Sequence, residues 1–386
     1  MITTINNEQK KLNVPNLRFK EFQGEWEKKT IGEISTIKNG PFGSVLHAED
    51  YVDEGMPIVT TEHFKNGNLP LSKNGIPQVS DDDYHRLRGY KLEKDDIVFS
   101  RVGSIDINAY VEQSQQGWLF SGRVLRVRPI KSVNSLCLHY ILSTESVKRS
   151  IRNRAVGQTM PSINTPILSN TKINIPQSVV EQKKIANLLS LLDERITTQN
   201  KIIDKLQSLI KGIAHKVSKQ GKPNTRLSEC LQCASSTLQE SDVAEVGLYP
   251  VYGANGIVGY LDTYNTTSEA IYIIKDGSGV GTVSYVNGKC SATGTLNILQ
   301  TNDGFSLRYL YFMLKVFGFE PYKTGMAIPH IYFKDYGKAK IYCPNYELQN
   351  KCANLLYEIE QKATIEQKIL DNLCSQKQYL LRQMFI

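Results

Sequence analysis

The sequence predicts an α+β protein built from two mixed α/β domains, which are separated by two long helices that form an antiparallel coiled coil. Three observations predict this fold class. The chain has 386 residues, more than one typical domain. It contains an internal repeat, and it has two heptad-patterned segments of about 40 residues each. The repeat gives the predicted fold an internal pseudo-two-fold symmetry.

The repeat is clearest around two similar loops and the segments that follow them. GQTMPSI at residues 157–163 is matched by GMAIPHI at residues 325–331. Each is followed by a strand-like segment ending in proline, KINIP or KIYCP, and then by a helix-patterned run. The two runs match at a constant spacing of 167 residues, whereas upstream matches have spacings of 171 and 196. We therefore expect helices in a fixed register and globular halves with different loops.

This order of segments predicts the domain boundaries. We expect an N-terminal arm at 1–22, a first domain at 23–175, a central helix at 176–222, a second domain at 223–343 and a C-terminal helix at 344–386. In both globular halves, short β-like runs alternate with turns rich in Gly, Asn and Asp. Each half also has an amphipathic stretch, which predicts helices at 136–150 and 307–317.

The two long helices are predicted to pack against each other. Apolar residues step by four and three along both, as in a coiled-coil seam, and antiparallel pairing returns the chain to each domain. Gln199 and Glu366 fall near the middle and are expected to form a register-setting polar layer. Lys377 also interrupts the second series, so we expect its end to fray or contact a partner. Two independent surface helices are the alternative. The predicted seam comprises Ile185, Leu189, Leu192, Ile196, Gln199, Ile203, Leu206, Ile210, Ile213, Val217, Leu356, Ile359, Ala363, Glu366, Leu370, Leu373, Leu380 and Met384.

The sequence offers no catalytic motif. The glycine-rich stretch at 277–281 lacks a P-loop lysine and precedes a strand-like segment, so a hairpin loop is expected there. The adenine-methyltransferase loop, Asn/Asp-Pro-Pro-aromatic, is missing. Cys230 and Cys233 have C-x-x-C spacing without further ligands, which predicts ordinary cysteines, no metal site and a reducing compartment. No apolar run suits a membrane span or a signal peptide, so we expect a cytoplasmic protein.

Basic and amide side chains indicate a polyanionic partner. The net charge is +8, and residues 123–154 contain eight basic residues against one acid. Such a cluster suits phosphate contacts, while a solvated helix end is the alternative. Arg/Lys and Asn/Gln also read guanine and adenine edges. The candidate DNA-binding residues, each with a plain solvent-exposed role as its alternative, are Arg86, Arg88, Arg101, Asn108, Arg149, Arg152, Arg154, Gln158, Asn255, Lys275, Ser278, Lys323, Thr324 and His330.

With these residues in view, the chain resembles the specificity (S) subunit of type I restriction–modification enzymes over nearly its full length. The resemblance is carried by PNLRFKEFQGEWEKKTIGEI from Pro15, by the segments IPQSVVEQKKIANLL and CPNYELQNKCANLL, and by the terminal LLRQMFI. The globular halves carry less of it, since these domains diverge with the DNA that they read.

The resemblance implies a non-catalytic, sequence-specific DNA-binding subunit that serves DNA methylation and anti-phage defence. Each target-recognition domain would read one half of a bipartite double-stranded DNA site. The helices would fix the gap between half-sites and dock two modification (methyltransferase) subunits, which carry S-adenosylmethionine. ATP and Mg would belong to two restriction (translocase/nuclease) subunits, and this chain would bind no cofactor or metal of its own.

Two other functions compete with this interpretation. The first is a coiled-coil scaffold or decayed paralogue without DNA specificity. The second is a fused restriction enzyme, against which the missing methyltransferase and nuclease motifs argue. Charge is unevenly spread, with +5 in residues 176–222 and −1 in residues 223–343. The second domain is therefore predicted as a DNA reader from the repeat and not from its charge.

Overall fold

The computed structural model describes residues 13–41, 46–325 and 327–386. These residues form two compact units, Met1–Thr197 with Asp371–Ile386, and Thr198–Leu370. Each unit thus contains one globular domain and a segment of each long helix. The first twelve residues of the predicted arm, and Met326 of the second repeat loop, lie outside the described residues.

The described residues of the first unit form three sheets with short helices between their strands. Its strands are β1 (Glu27–Thr30), β2 (Ser35–Asn39), β3 (Tyr51–Val52), β4 (Met56–Val59), β5 (Gln78–Val79), β6 (Ile97–Ser100), β7 (Asn108–Tyr110), β8 (Leu119–Phe120), β9 (Val124–Pro129) and β10 (Lys172–Ile175). Its helices are α1 (Ile31–Ile34), α2 (Asp81–Arg86), α3 (Ser135–Leu142), α4 (Glu145–Arg152), α5 (Thr165–Ser169) and the beginning of α6 (Val179–Ser218).

The central sheet of the first unit has the strand order β2-β9-β6-β7, and its neighbouring strands are antiparallel. Side chains alternate along β9, so Leu125 and Val127 enter one buried core while Val124 enters another. A second sheet has the order β3-β5-β4-β8, and β1 pairs with β10 where the domain meets α6. The central sheet is therefore buried on both faces, and its exposed loops lie at the ends of the strands.

The second unit repeats this plan with fewer elements. Its strands are β11 (Thr225–Arg226), β12 (Leu231–Ser235), β13 (Tyr249–Gly253), β14 (Gly256–Leu261), β15 (Ala270–Ile274), β16 (Val283–Val286), β17 (Ser291–Ala292), β18 (Leu296–Thr301) and β19 (Lys340–Ile341). Its helices are α7 (Leu227–Cys230), α8 (Leu307–Lys315), α9 (Phe333–Tyr336) and α10 (Tyr346–Gln383), the last of which ends within the first unit.

Topology shows the same repeat as the sequence. The central sheet of the second unit has the order β12-β18-β15-β16, which reproduces β2-β9-β6-β7 strand for strand. The domain-closing pair β11-β19 corresponds to β1-β10. The short helices α1 and α7 both place a glutamate at the third position, where its carboxylate accepts the backbone N–H before the helix. The predicted fold class, two mixed α/β domains with two long helices, is confirmed.

Local helix predictions need two corrections. The helix expected at 136–150 is two helices, α3 and α4, because Thr144 is extended (ψ 147°) and starts a new helix. The Thr144 hydroxyl donates to the carbonyl of Ile141, at the end of α3, at 2.7 Å. The helix expected at 307–317 ends at Lys315. The glycine-rich stretch at 277–281 lies in the loop that joins the antiparallel strands β15 and β16, as predicted.

The long helices run antiparallel within each unit. In the second unit Gln199 of α6 contacts Glu366 of α10, while Ile210 shares a core with Leu356. In the first unit Asp193 pairs with Lys377 at 2.5 Å. The predicted seam residues are all buried or half-buried. The expectation that α10 frays at Lys377 is corrected, because Lys377 is held by Asp193 and the helix continues to Gln383.

Candidate nucleic-acid interface

Two loops meet at one edge of the first domain. The loop after β6 (residues 101–104) lies against the repeat loop at residues 156–162. The Ile163 N–H donates to the Arg101 carbonyl at 2.9 Å, and the Gly103 N–H donates to the Pro161 carbonyl at 2.9 Å. Val156 and Ser162 exchange two backbone hydrogen bonds, which closes the repeat loop on itself. We call these two segments the first edge-loop pair.

The second domain builds the same arrangement. The loop after β15 (residues 275–278) lies against residues 324–330, and we call these the second edge-loop pair. The Ile331 N–H donates to the Lys275 carbonyl at 2.9 Å, and the Gly277 N–H donates to the Pro329 carbonyl at 3.0 Å. These bonds match those of the first edge-loop pair one for one. The repeat therefore fixes one backbone scaffold at the same place in both domains.

Glycine is required where each repeat loop turns. Gly157 has φ +98° and Gly325 has φ +87°, both in the left-handed region that other residues rarely adopt. A Cβ atom on Gly157 would lie 2.8 Å from the Met160 carbonyl oxygen, and one on Gly325 would clash with the Ile328 carbonyl oxygen. The turn consequently leaves the side chains of Met160 and Ile328 exposed at equivalent positions.

The side chains on the shared scaffold differ between the domains. In the first edge-loop pair, Val102 and Ser162 are bridge partners. The equivalent partners in the second are Asp276 and His330, whose Oδ1 and Nδ1 atoms lie 2.7 Å apart. His330 also stacks on Tyr332, with ring centroids 6.5 Å apart. One domain thus presents neutral side chains where the other presents an acid–base pair.

Six of the fourteen candidate DNA-binding residues lie on the edge-loop pairs. Arg101 is half-buried and donates to the Gly122 carbonyl at 3.1 Å, whereas Ser278 and Thr324 are exposed. Lys323, which immediately precedes the second repeat loop, pairs with Glu320. The structure brings these candidates together in two groups, one in each domain. The group in the first domain is Arg101 and Gln158. The group in the second domain is Lys275, Ser278, Lys323, Thr324 and His330. Their contact with DNA stays a prediction.

Other candidates lie away from these loops. Arg86 is in α2, where it pairs with Asp83, and Arg88 is in a following 3₁₀ turn, so the loop placement expected for both is corrected. Asn255 is exposed at the tip of the β13–β14 hairpin.

The arginines at the end of α4 differ in their surroundings. Arg152 pairs with Asp106 and Glu145. Arg154 donates to the Thr171 hydroxyl at 2.8 Å and to the Asn170 carbonyl at 3.1 Å. These bonds hold α4 to the rest of the domain. Arg149 is exposed, and its side chain has no partner among the residues that the structure describes.

Asn108 is not an exposed loop residue, which corrects its selection as a base reader. It lies in β7 with a relative exposure of 2%. Its Oδ1 atom is 2.7 Å from Nδ1 of buried His139, and its amide donates to the Ser143 hydroxyl at 3.2 Å. Burial, with a smaller effect of the Lys377 charge, lowers the pKa of His139 to about 4. Asn108 therefore satisfies a neutral core histidine.

A recess beside the first edge-loop pair contains residues that the sequence did not single out. Its volume is about 270 Å³. The residues that line it are Thr61, Glu62, Lys65, Ser100, Val102, Gly103, Ser104, Ile107, Arg123 and Met160. Glu62 and Lys65 belong to a 3₁₀ turn at Thr61–Phe64 and its end. No sequence signal links this turn to the repeat loop, because they are a hundred residues apart in the chain.

The cysteines of the C-x-x-C motif lie in different surroundings. Cys230 is buried with its sulfur 3.9 Å from that of Cys343, and burial raises the pKa of Cys233 to about 11. Within the described ranges, no cluster of three or more His, Cys, Asp or Glu side chains has a metal-binding arrangement. Among the helices that the structure describes, none has the length and apolarity of a membrane span.

Two domains of one topology, equivalent edge-loop pairs and long paired helices define a class of duplicated α+β proteins. The type I restriction modification DNA specificity domain matches this chain twice, over residues 23–208 and 226–374. The chain belongs to this family, that of the type I specificity subunits. The two matches coincide with the two halves of the repeat.

Similar proteins carry the same description. A putative type I restriction enzyme specificity subunit of Methanocaldococcus jannaschii is 31% identical over 55% of this chain, and the match spans half of that relative's length. A putative type I specificity subunit of Mycoplasma pneumoniae is 24% identical over 93% of this chain and 96% of its own length. The crystal structure of a type I S subunit from M. genitalium shares the fold, with a TM-score of 0.69, 21% identity, and coverage of 97% and 99% of the two chains.

Proposed function

We propose that this chain is the DNA-specificity subunit of a type I restriction–modification complex. Each domain reads one half of a bipartite double-stranded site with its edge-loop pair. The observation that carries the proposal is a shared backbone scaffold with different side chains, Val102 and Ser162 in one domain and Asp276 and His330 in the other. Such an arrangement suits two half-sites of different sequence, because base-edge contacts specify DNA while the backbone positions them.

The long helices serve as spacer and docking surface in this proposal. Apolar side chains stay exposed on both, with relative exposures of 59% for Leu191, 54% for Leu355 and 58% for Ile365. Leu188 and Leu355 occupy equivalent positions of the repeat, with Leu188 half-buried and Leu355 exposed. These surfaces fit two modification subunits. Two restriction subunits complete the complex.

Catalysis belongs to the partners in this proposal. S-adenosylmethionine acts on the modification subunits, and ATP and Mg act on the restriction subunits. This chain contributes no catalytic residue and binds no cofactor. The central helix adds to the affinity of the chain for DNA through its positive charge, since residues 176–222 include nine basic and four acidic residues.

The test is methylation and binding by the complex of this chain with its modification subunits. We expect methylated adenines in one split motif of the host genome, and salt-sensitive binding to a duplex that contains this motif. A duplex with either half-site scrambled should bind at least tenfold more weakly. A scaffold without DNA specificity is the second candidate; it predicts stable assembly, no methylated motif and equal binding to all duplexes.

A further inference from the structure

The recess beside the first edge-loop pair brings two kinds of base-reading chemistry together. Its lining comes from the 3₁₀ turn with Glu62 and Lys65, from the loop after β6, from Met160 of the repeat loop, and from Arg123 just before β9. We name it the first-domain recess. Its volume of 270 Å³ is enough for several water molecules, and exposed residues of the edge loops, Gly103, Ser104 and Met160, form part of its lining.

Arg123 is available to bind a ligand. It is exposed, and within the described part of the chain its guanidinium has no hydrogen-bond or ion-pair partner. Its backbone is fixed, since the Arg101 N–H donates to the Arg123 carbonyl at 3.0 Å. The side chain therefore extends from a hydrogen-bonded backbone position at the end of an inner strand. Three other arginines of the basic stretch at residues 123–154 differ, because Arg128, Arg152 and Arg154 are all held by the protein.

Glu62 supplies an acceptor beside this donor. Its carboxylate pairs with Lys65, and both side chains are more than half exposed. The hydrogen bond from Lys65, followed by the charges of Lys65, His63 and Arg123, holds the pKa of Glu62 below its usual range. Glu62 is consequently an anion at neutral pH. Exposed ion pairs of this kind are weak, so Lys65 is readily exchanged for another donor.

We propose that the first-domain recess reads a G·C base pair of the first half-site, with Arg123 bound to guanine and Glu62 to cytosine. This proposal rests on the proposed function. In the major groove guanine presents two acceptors, O6 and N7, which match a guanidinium, while cytosine presents its N4 amino group, which matches a carboxylate. Both groups lie on the same edge of one pair. A recess with one free donor fork and one acceptor fits that edge.

The second domain supplies an internal control. Its Lys275 N–H donates to the Thr295 carbonyl at 3.0 Å, as Arg101 does to Arg123, so Thr295 occupies the position of Arg123. Threonine lacks a guanidinium. The second half-site therefore has no guanine read from this position, and a change at Thr295 affects neither the recess nor its base pair.

The experiment uses the complex of the full chain with its modification subunits and a duplex library randomised in both half-sites. Methylation is sequenced for the wild type, Arg123→Gln, Glu62→Gln and the control Thr295→Ala. We expect the two recess variants to lose about 10- to 100-fold of their preference at one G·C pair of one half-site. Gln suits adenine, so Arg123→Gln should also raise A·T at that position. The other half-site and the gap should stay unchanged in all variants.

Two results separate failure of the recess assignment from failure of the proposed function. If the wild-type complex methylates a split motif and both recess variants keep every base preference, or lose activity equally on all duplexes, the recess assignment is wrong and the proposed function stands. If the wild-type complex methylates no split motif, both the proposed function and the recess assignment are wrong. Thermal unfolding of each variant, compared with that of Thr295→Ala, identifies a loss of activity that misfolding causes. If Arg123→Gln misfolds, Glu62→Gln alone decides between the two outcomes.

Discussion

At the scale of single residues, a buried carboxylate near the start of α6 depends on one arginine. Glu181 is 1% exposed, and its two carboxylate oxygens accept from Arg18 at 2.7 and 2.8 Å. The Trp26 indole N–H donates to the same carboxylate at 3.3 Å. The hydrogen bond with Glu181 raises the pKa of Arg18 above its ordinary value. A buried charge held this way is satisfied only while its partner remains.

We expect Arg18→Ala to lower the free energy of unfolding by about 3 kcal/mol, because it leaves the Glu181 carboxylate buried and uncompensated. The repeat provides the compensating change, since Leu348 occupies the position of Glu181 in α10. The double variant Arg18→Ala with Glu181→Leu should recover most of the loss. Urea unfolding measures both, and a double variant as unstable as the single one would contradict this account.

The sequence predicts residues of this kind poorly. Asn108 has the polarity of a base reader, yet it is buried against His139, a partner 31 residues away. Arg152 and Arg154 look like a free basic cluster, yet acids and carbonyls distant in sequence hold them. Single-residue roles depend on long-range contacts, which neither periodicity nor local composition contains.

At the scale of elements, two equivalent glutamines fasten each domain to its long helix. The Gln182 amide donates to the Pro176 carbonyl at 2.8 Å, and its oxygen accepts the N–H of Asn134, the residue that caps α3, at 2.7 Å. Gln349 repeats this with the Pro344 carbonyl at 2.8 Å and the Ser306 N–H, at the start of α8, at 3.0 Å. Each glutamine is 2% exposed. Each glutamine therefore connects three parts of its half of the chain: the proline before the long helix, a helix of the domain and the long helix itself.

Replacing either glutamine by alanine should cost roughly 1–3 kcal/mol, because the substitution leaves an N–H and a carbonyl, one buried and one part-buried, without partners. Gln177→Ala is the matched control, since Gln177 is exposed beside the same proline. Hydrogen exchange should show faster exchange at the Asn134 amide in Gln182→Ala and at the Ser306 amide in Gln349→Ala. Protection equal to that of the control would show that these bonds contribute little.

Elements were predictable where one pattern determines them. The heptad period and the 167-residue spacing predict α6 and α10, since a helix face repeats locally. The division of α3 from α4 was not predictable, because it depends on the extended backbone of Thr144 and not on hydrophobicity. The meeting of the loop after β6 with the repeat loop also escaped prediction. Its sequence signal is only a shared Gly-Ser, at 103–104 and 277–278.

At the scale of the whole molecule, helix length is the quantity that the proposed function uses. α6 has 40 residues and α10 has 38, or about 60 Å of helix each. Removing residues 200–206 together with the facing residues 359–365 shortens both by seven residues and keeps the heptad phase. This deletion shortens the pair by about 10 Å, close to three base pairs.

We expect the deletion variant to methylate a motif whose gap is about three base pairs shorter, or to lose assembly with the modification subunits. Sequencing of methylated adenines measures the gap. The control keeps the length and changes only exposed side chains of the same stretch, Lys201→Ala with Lys205→Ala, and should keep the original gap. An unchanged gap with full activity in the deletion variant would exclude the helices as the spacer.

One contact between the two copies of the repeat joins equivalent positions. Gln199 and Glu366 are 167 residues apart and are thus the same position of the repeat, and the Gln199 amide donates to the Glu366 side chain and to its carbonyl, the latter at 3.0 Å. In a symmetric dimer of identical half-length chains, this position would meet its own copy, Gln against Gln or Glu against Glu. Two carboxylates there would repel each other. Joining the halves in one chain lets each copy mutate alone, so the donor and the acceptor at this position are divided between the two copies.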